Sequence, residues 1–117
     1  MSTMKVAAAQ LAPAFLSREA TIDKVLDAIG EAAANGAELI AFPETFVPGY
    51  PAWADFSNAS TFDDPVQKAA FGRYLDAAVD IGRGDLDTVV TVAAQLGIFV
   101  YLGVAERSTS GSSIYCS

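Results

Sequence analysis

The sequence predicts an α/β fold with a parallel sheet, and three observations carry that expectation. Two short apolar runs, Val6 to Ala9 (extended by Leu11) and Leu39 to Phe42, have the length and bounding turn residues of buried strands. The residues between them follow a helical period. The composition, 52% hydrophobic and 18% charged, is rich enough in apolar residues for a sheet covered on both faces.

The first run ends at Ala12-Pro13, and its alanines let a helix pack closely against it. Gln10 reads as a hydrogen-bonded residue at the strand's end. From Ser17 to Asn35, Ile22, Val25, Leu26, Ile29, Ala32 and Ala33 fall on one helical stripe. Ser17 is placed to cap the start, Glu19 lies in the first turn where the helix dipole favours an anion, and Gly36 is placed as the left-handed stop. The second strand follows at once. Strand, helix and strand within about 40 residues make a βαβ unit.

Pro43 has no ladder donor and marks the end of the second strand, so Glu44 stands just beyond it. In open α/β sheets this end of the strands is where chemistry collects. Pro48, Gly49 and Pro51 constrain the chain that follows, and Phe46, Tyr50, Trp53 and Phe56 surround it with aromatic rings. Burial beside such a loop disfavours a carboxylate's charged form, which suits a group that takes and returns protons. Glu44 is the candidate general base or acid. Thr45 to Pro65 is a long irregular stretch, and loops of that length in compact domains are more often functional than idle. Its aromatics either pack on the core or line a substrate pocket; Tyr50, bringing a ring and a hydroxyl after the Pro48-Gly49 turn, is the foremost pocket candidate.

Pro65 opens a second helix reaching Ala78, with Asp63 and Asp64 before its N-terminus as capping charges. Gly82-Arg83-Gly84 interrupts the chain, Asp85 is placed to cap a third helix through Leu96, and Gly97 ends it. Ile98 to Ala105 reads as one apolar strand in a central position, with Glu106 beyond it either in a salt bridge with Arg107 or supporting Glu44. Ser108 to Ser112 is a polar reversal, and Ser113 to Ser117 begins a strand antiparallel to the third.

Several function classes are excluded by composition. A net charge of −7 with seven scattered basic residues does not suit nucleic acid or an anionic membrane. No apolar run approaches the ~20 residues of a membrane helix. With no histidine, no Ser-His-Asp or Cys-His triad can form within these residues, and the commonest transition-metal ligand is missing. No phosphate loop is present, and no metal or other cofactor is expected. One cysteine and no visible signal peptide lead to an expectation of a cytoplasmic protein. The cysteine, Cys116, lies in a β-type run and reads as a small structural hydrophobe.

The segment Phe42-Pro43-Glu44-Thr45-Phe46-Val47-Pro48-Gly49-Tyr50-Pro51 resembles the glutamate motif of the nitrilase superfamily of carbon–nitrogen hydrolases, its nitrilase branch in particular. Lys5 to Pro13 resembles that family's first strand. Gly103-Val104-Ala105-Glu106-Arg107 followed by Ser113-Ile114-Tyr115-Cys116 resembles a later strand–turn–strand of the family. The resemblance implies a Glu–Lys–Cys triad in which Glu44 handles protons, with the lysine and nucleophilic cysteine beyond Ser117; Lys5, Lys24 and Lys68 match no catalytic lysine. It implies a nitrile substrate bound near Tyr50 and Trp53, conversion to acid and ammonia, and an α-β-β-α sandwich of four layers. Residues 1–117 would be the N-terminal portion of a single such domain, inactive alone. An apolar inner face is then expected, covered by the remaining C-terminal part of the enzyme or within a homo-oligomer. Two alternatives stand beside this reading: a cyanide hydratase or amidase of the same superfamily, and a non-catalytic α/β binding module in which the aromatic loop is a partner surface.

Overall fold

A computed structural model describes residues 3–49, 65–108 and 114–116. In chain order the elements are β1 (Val6–Ala8), α1 (Arg18–Ala34), β2 (Leu39–Ala41), α2 (Pro65–Ala77), α3 (Asp87–Leu96), β3 (Phe99–Tyr101), β4 (Ala105–Arg107) and β5 (Ile114–Cys116). β1, β2 and β3 form a parallel sheet in that order, with Val6, Leu39 and Phe99 in one row, Ala7, Ile40 and Val100 in the next, and Ala8, Ala41 and Tyr101 in the third. β4 and β5 pair antiparallel as a separate two-stranded ribbon.

α1 begins where its sequence signals place it. Ser17 has extended backbone angles, and its hydroxyl accepts a hydrogen bond from the Ala20 amide at 3.4 Å. The helix stops at Gly36, whose φ of 84° suits a residue without Cβ. The Gly36 amide donates to the Ala33 carbonyl and the Ala37 amide to the Ala32 carbonyl, so two carbonyls left over at the helix end are satisfied. The apolar stripe of α1 is the core: Ile22, Val25 and Ile29 pack with Val89 of α3 and with Ile40, Ala7 and Val100 of the sheet's middle row.

Because side chains alternate along a strand, the flanking rows point to the opposite face. Val6, Ala8, Phe99 and Tyr101 are exposed there, the last two at 71% and 72%. Among the described residues this apolar face is bare.

Three expectations are corrected. The run from Ile98 to Ala105 is not one central strand. β3 lies at the end of the described sheet, and the chain leaves it at Leu102-Gly103 to begin β4 in the ribbon. Apolar residues on both sides of Gly103 do not by themselves report that the chain changes sheets there. Asp85 does not cap α3: that helix starts after Leu86, with no side-chain cap. Arg83 claims the carboxylate instead, donating from Nε to Oδ1 at 3.0 Å and from Nη2 to Oδ2 at 2.6 Å, while Arg18 Nε stands 3.4 Å away. Two guanidinium groups outcompete a helix-end amide. In α2 the helical period of Val66, Ala69, Ala70, Arg73, Tyr74, Ala77 and Ala78 predicts a wider inner face than the structure buries. Tyr74 and Ala77 are buried, but Ala69 and Arg73 are exposed.

Arg18 also donates from Nη1 to the carbonyls of Asp76 (2.9 Å) and Ala78 (3.2 Å), fastening the start of α1 to the end of α2. Hydrogen bonding from Arg83 holds the Asp85 carboxyl below its ordinary 3.8, with the Asp80 amide and the charge of Arg18 acting in the same direction against burial. A depressed folded-state value adds stability that is complete above the unfolded value and disappears as pH falls through the folded one. Asp85→Asn is therefore expected to lower the melting temperature at neutral pH and to flatten its decline below about pH 4. A pair of melting curves across that range checks it.

Gly30, inside α1, has open space where a Cβ would be. Gly30→Ala is expected to stabilise the fold by about 0.5–1 kcal/mol, read as a raised urea midpoint, because the unfolded chain loses freedom and no contact is disturbed.

Candidate active site

Glu44 stands where the sequence puts it, after the C-terminal end of β2, the middle strand of the described sheet. Its surroundings differ from the expectation. The side chain is exposed and lines neither the cavity between β1 and α1 nor the one beside Arg18 and Arg73. The physical reason is the direction of the turn. Pro43 and Glu44 face outward, whereas Thr45, Phe46, Val47, Pro48 and Gly49 are all buried. Tyr50, Trp53 and Phe56, the aromatics expected to cover the carboxylate, lie outside the described residues.

What the structure does show is a carboxylate on a firmly held backbone. Upstream, the Phe42 amide donates to the Tyr101 carbonyl at 2.8 Å. Downstream, the Val47 amide donates to the Gly103 carbonyl at 3.4 Å, and the Ala105 amide returns a bond to the Val47 carbonyl at 2.8 Å. Val47 and Val104 thus bridge in parallel, carrying the β2–β3 pairing past the strand ends. Inside the turn, the Phe46 amide reaches the Pro43 carbonyl and the Gly49 amide the Thr45 carbonyl. The Val47–Pro48 peptide is cis. Two outer anchors complete the mounting: the buried Tyr74 hydroxyl of α2 donates to the Gly49 carbonyl at 2.7 Å, and the Leu16 amide donates to the Pro48 carbonyl at 3.1 Å. Beneath lie Phe42 and Phe46, their ring centroids 5.4 Å apart and tilted by 44°.

Sequence reasoning missed three contributors. Gly103 is buried, and a Cβ there would fall 2.4 Å from the Pro43 carbonyl oxygen and 2.8 Å from both Glu44 Cα and Thr45 N. A glycine interrupting an apolar strand pattern is a recognised sign of close backbone approach, so a signal existed. Thr45 carries a φ of 48°, unusual for a β-branched residue, and its buried hydroxyl has no partner among the described residues. Nothing in the sequence announces that. Tyr74 was legible as a helix-face residue, not as an anchor of the loop.

The larger cavity, about 510 Å³, runs between β1 and α1. Lys5 and Lys24 line it, Lys5 Nζ donating to the Asn35 carbonyl and Lys24 Nζ to the Ala12 carbonyl. Both are occupied in holding α1 and its flanks. The side chain of Lys68 is outside the description, as is that of Cys116, whose backbone lies in β5. No group of three His, Cys, Asp or Glu side chains among the described residues could hold a metal ion, and no described helix is long and apolar enough to cross a membrane.

The chain is 39% identical over 112 residues to an arylacetonitrilase of Aspergillus niger, covering 96% of this chain and 31% of that protein. It is 39% identical over 105 residues to a nitrilase of Pseudomonas syringae, covering 90% and 30%. An aliphatic nitrilase of Sinorhizobium fredii is 33% identical over all 117 residues, which are 37% of its length. The chain thus spans about a third of the curated relatives it matches. The profile of the carbon-nitrogen hydrolase family matches residues 5–117, and the chain belongs to that family.

Proposed function

We propose that this chain supplies the N-terminal portion of a nitrilase, an enzyme that hydrolyses a nitrile to a carboxylic acid and ammonia, with Glu44 as its proton-transferring group. One observation carries the reading: an exposed carboxylate, mounted on a buried and multiply hydrogen-bonded turn at the C-terminal end of a parallel strand. Catalytic groups need positions fixed in advance, and a turn held from both sides gives Glu44 that.

The chemistry requires a thiol and a cation besides Glu44, and on this reading both come from polypeptide outside residues 1–117. Glu44 takes the thiol proton as sulfur attacks the nitrile carbon, giving a thioimidate. The cation balances the charge forming on nitrogen. Glu44 passes the thiol proton to that nitrogen, then takes the protons of a first attacking water and returns them to the nitrogen, which leaves as ammonia and gives a thioester; it takes a proton from a second water, whose attack releases the acid, and returns it to the sulfur. Tyr50 and Trp53 are proposed to contact the substrate.

The same reading accounts for the bare face of β1, β2 and β3. A second sheet packed on Val6, Ala8, Phe99 and Tyr101 would build the α-β-β-α sandwich and bring the missing groups to the Glu44 end of the strands. It would also take the Glu44 carboxylate out of water.

The test is direct. The complete enzyme carrying this segment is expected to release ammonia from an arylacetonitrile or an aliphatic nitrile, and residues 1–117 alone to release none. Turnover of the amides with none of the nitriles would overturn the substrate assignment. Ammonia from the 117-residue chain, lost on Glu44→Gln, would overturn the dependence on further polypeptide.

A further inference from the structure

We propose that Gly103 and Thr45 are positioning residues for the Glu44 carboxylate, setting its place from behind and from below; this rests on the reading of Glu44 as the proton-transferring group. The case starts from the side-by-side course of residues 42–47 and 101–105. Hydrogen bonds cross between them at Phe42 and Tyr101, at Val47 and Gly103, and at Ala105 and Val47. Gly103 is where the two backbones come closest. The three atoms that a Cβ at 103 would meet belong to the main chain of Pro43, Glu44 and Thr45. None can rotate aside as a side-chain end would. The shortest contact lies more than half an ångström below the 3.0 Å that real Cβ atoms respect, so the turn itself must move. Glu44 Cα is among the atoms displaced.

Thr45 supplies the independent half. It is fully packed, left-handed in backbone conformation and unpaired at its hydroxyl among the described residues. Residues held this way persist only where surrounding structure over-determines them, and they concentrate at functional sites. Here the unfavourable conformation immediately follows Glu44 and turns the chain inward, leaving the carboxylate facing out. Gly103 lets the turn sit this close to residues 101–105, and Thr45 carries the left-handed step that turns it inward.

The test uses the complete enzyme with Gly103→Ala and Thr45→Gly, and with Gly30→Ala and Gly72→Ala as controls whose added Cβ meets nothing within 4 Å. Displacement of a reacting group by about 1 Å can cost ~100-fold in rate. Gly103→Ala is expected to lower kcat for a nitrile by roughly that factor with KM changed less than threefold, and to shift the acidic limb of the kcat/KM profile. Thr45→Gly, in which relief of the backbone conformation offsets part of the cost of emptying the packed side-chain site, is expected to fold and to lower kcat about tenfold. The controls keep kcat within twofold. If Gly103→Ala does not fold, Thr45→Gly decides alone. Folded variants with kcat within twofold of the parent, while Glu44→Gln is inactive, would overturn the positioning role and leave the Glu44 reading intact. An active Glu44→Gln would instead remove the reading on which it rests.

Discussion

Glu44→Gln in the complete enzyme is expected to lower kcat/KM for a nitrile by about 10²–10⁴-fold, the range usually supplied by one positioned acid–base group. Glutamine keeps the size of the side chain and its ability to accept a hydrogen bond, but it cannot take a proton from a thiol or from water. The backbone of the turn is held independently of the side chain, so the variant should fold, and in residues 1–117, where the side chain is exposed, the substitution should change stability by no more than about 0.5 kcal/mol. Activity and melting temperature measured on one preparation separate the two effects. A tenfold loss or less would mean that Glu44 is a spectator. Glu44→Asp makes a useful companion: it keeps the carboxylate but withdraws it by one methylene, and should retain part of the rate if position is what the turn provides.

The second large effect is on stability. Phe46→Ala is expected to cost about 3–5 kcal/mol, the ordinary range for emptying a packed phenylalanine site. Phe46 is 2% exposed and packs against Phe42 in the core that also holds Ile40, Val47 and Val104. A domain's whole margin is about 5–15 kcal/mol, so this one truncation removes a large share of it. Urea denaturation, with the midpoint falling sharply and the slope retained, is the check. A loss below 1 kcal/mol would show that the cavity collapses and that the turn does not depend on the ring beneath it.

Much of the first half of the fold was legible because its signals are local. Ser17, the stripe from Ile22 to Ala33 and Gly36 each act within a turn or two of helix, and the structure uses each as read. The strand within Leu39 to Phe42 was legible for the same reason, although its place in the middle of the sheet was not. The misreadings are non-local. Asp85 has the spacing of a cap, but Arg18, far away in sequence, helps draw it elsewhere. The run from Ile98 to Ala105 hides its change of sheet because residues on both sides of Gly103 are apolar. At the candidate site the position of Glu44 was readable and its exposure was not. A carboxylate's environment depends on what covers it, and the segment holding Tyr50, Trp53 and Phe56 is outside the described residues.

The mounting of residues 48 and 49 has a consequence for how this protein can diversify. Pro48 is tied to Leu16 and Gly49 to Tyr74, while Arg18 grips the carbonyls at the far end of α2. The chain up to Gly49 is therefore held to α2, and α2 to α1, by bonds that involve none of residues 50–64. On the proposed reading, sequence changes beyond Gly49 would leave the mounting of Glu44 in place, so that selectivity and reactivity would be free to evolve on separate schedules.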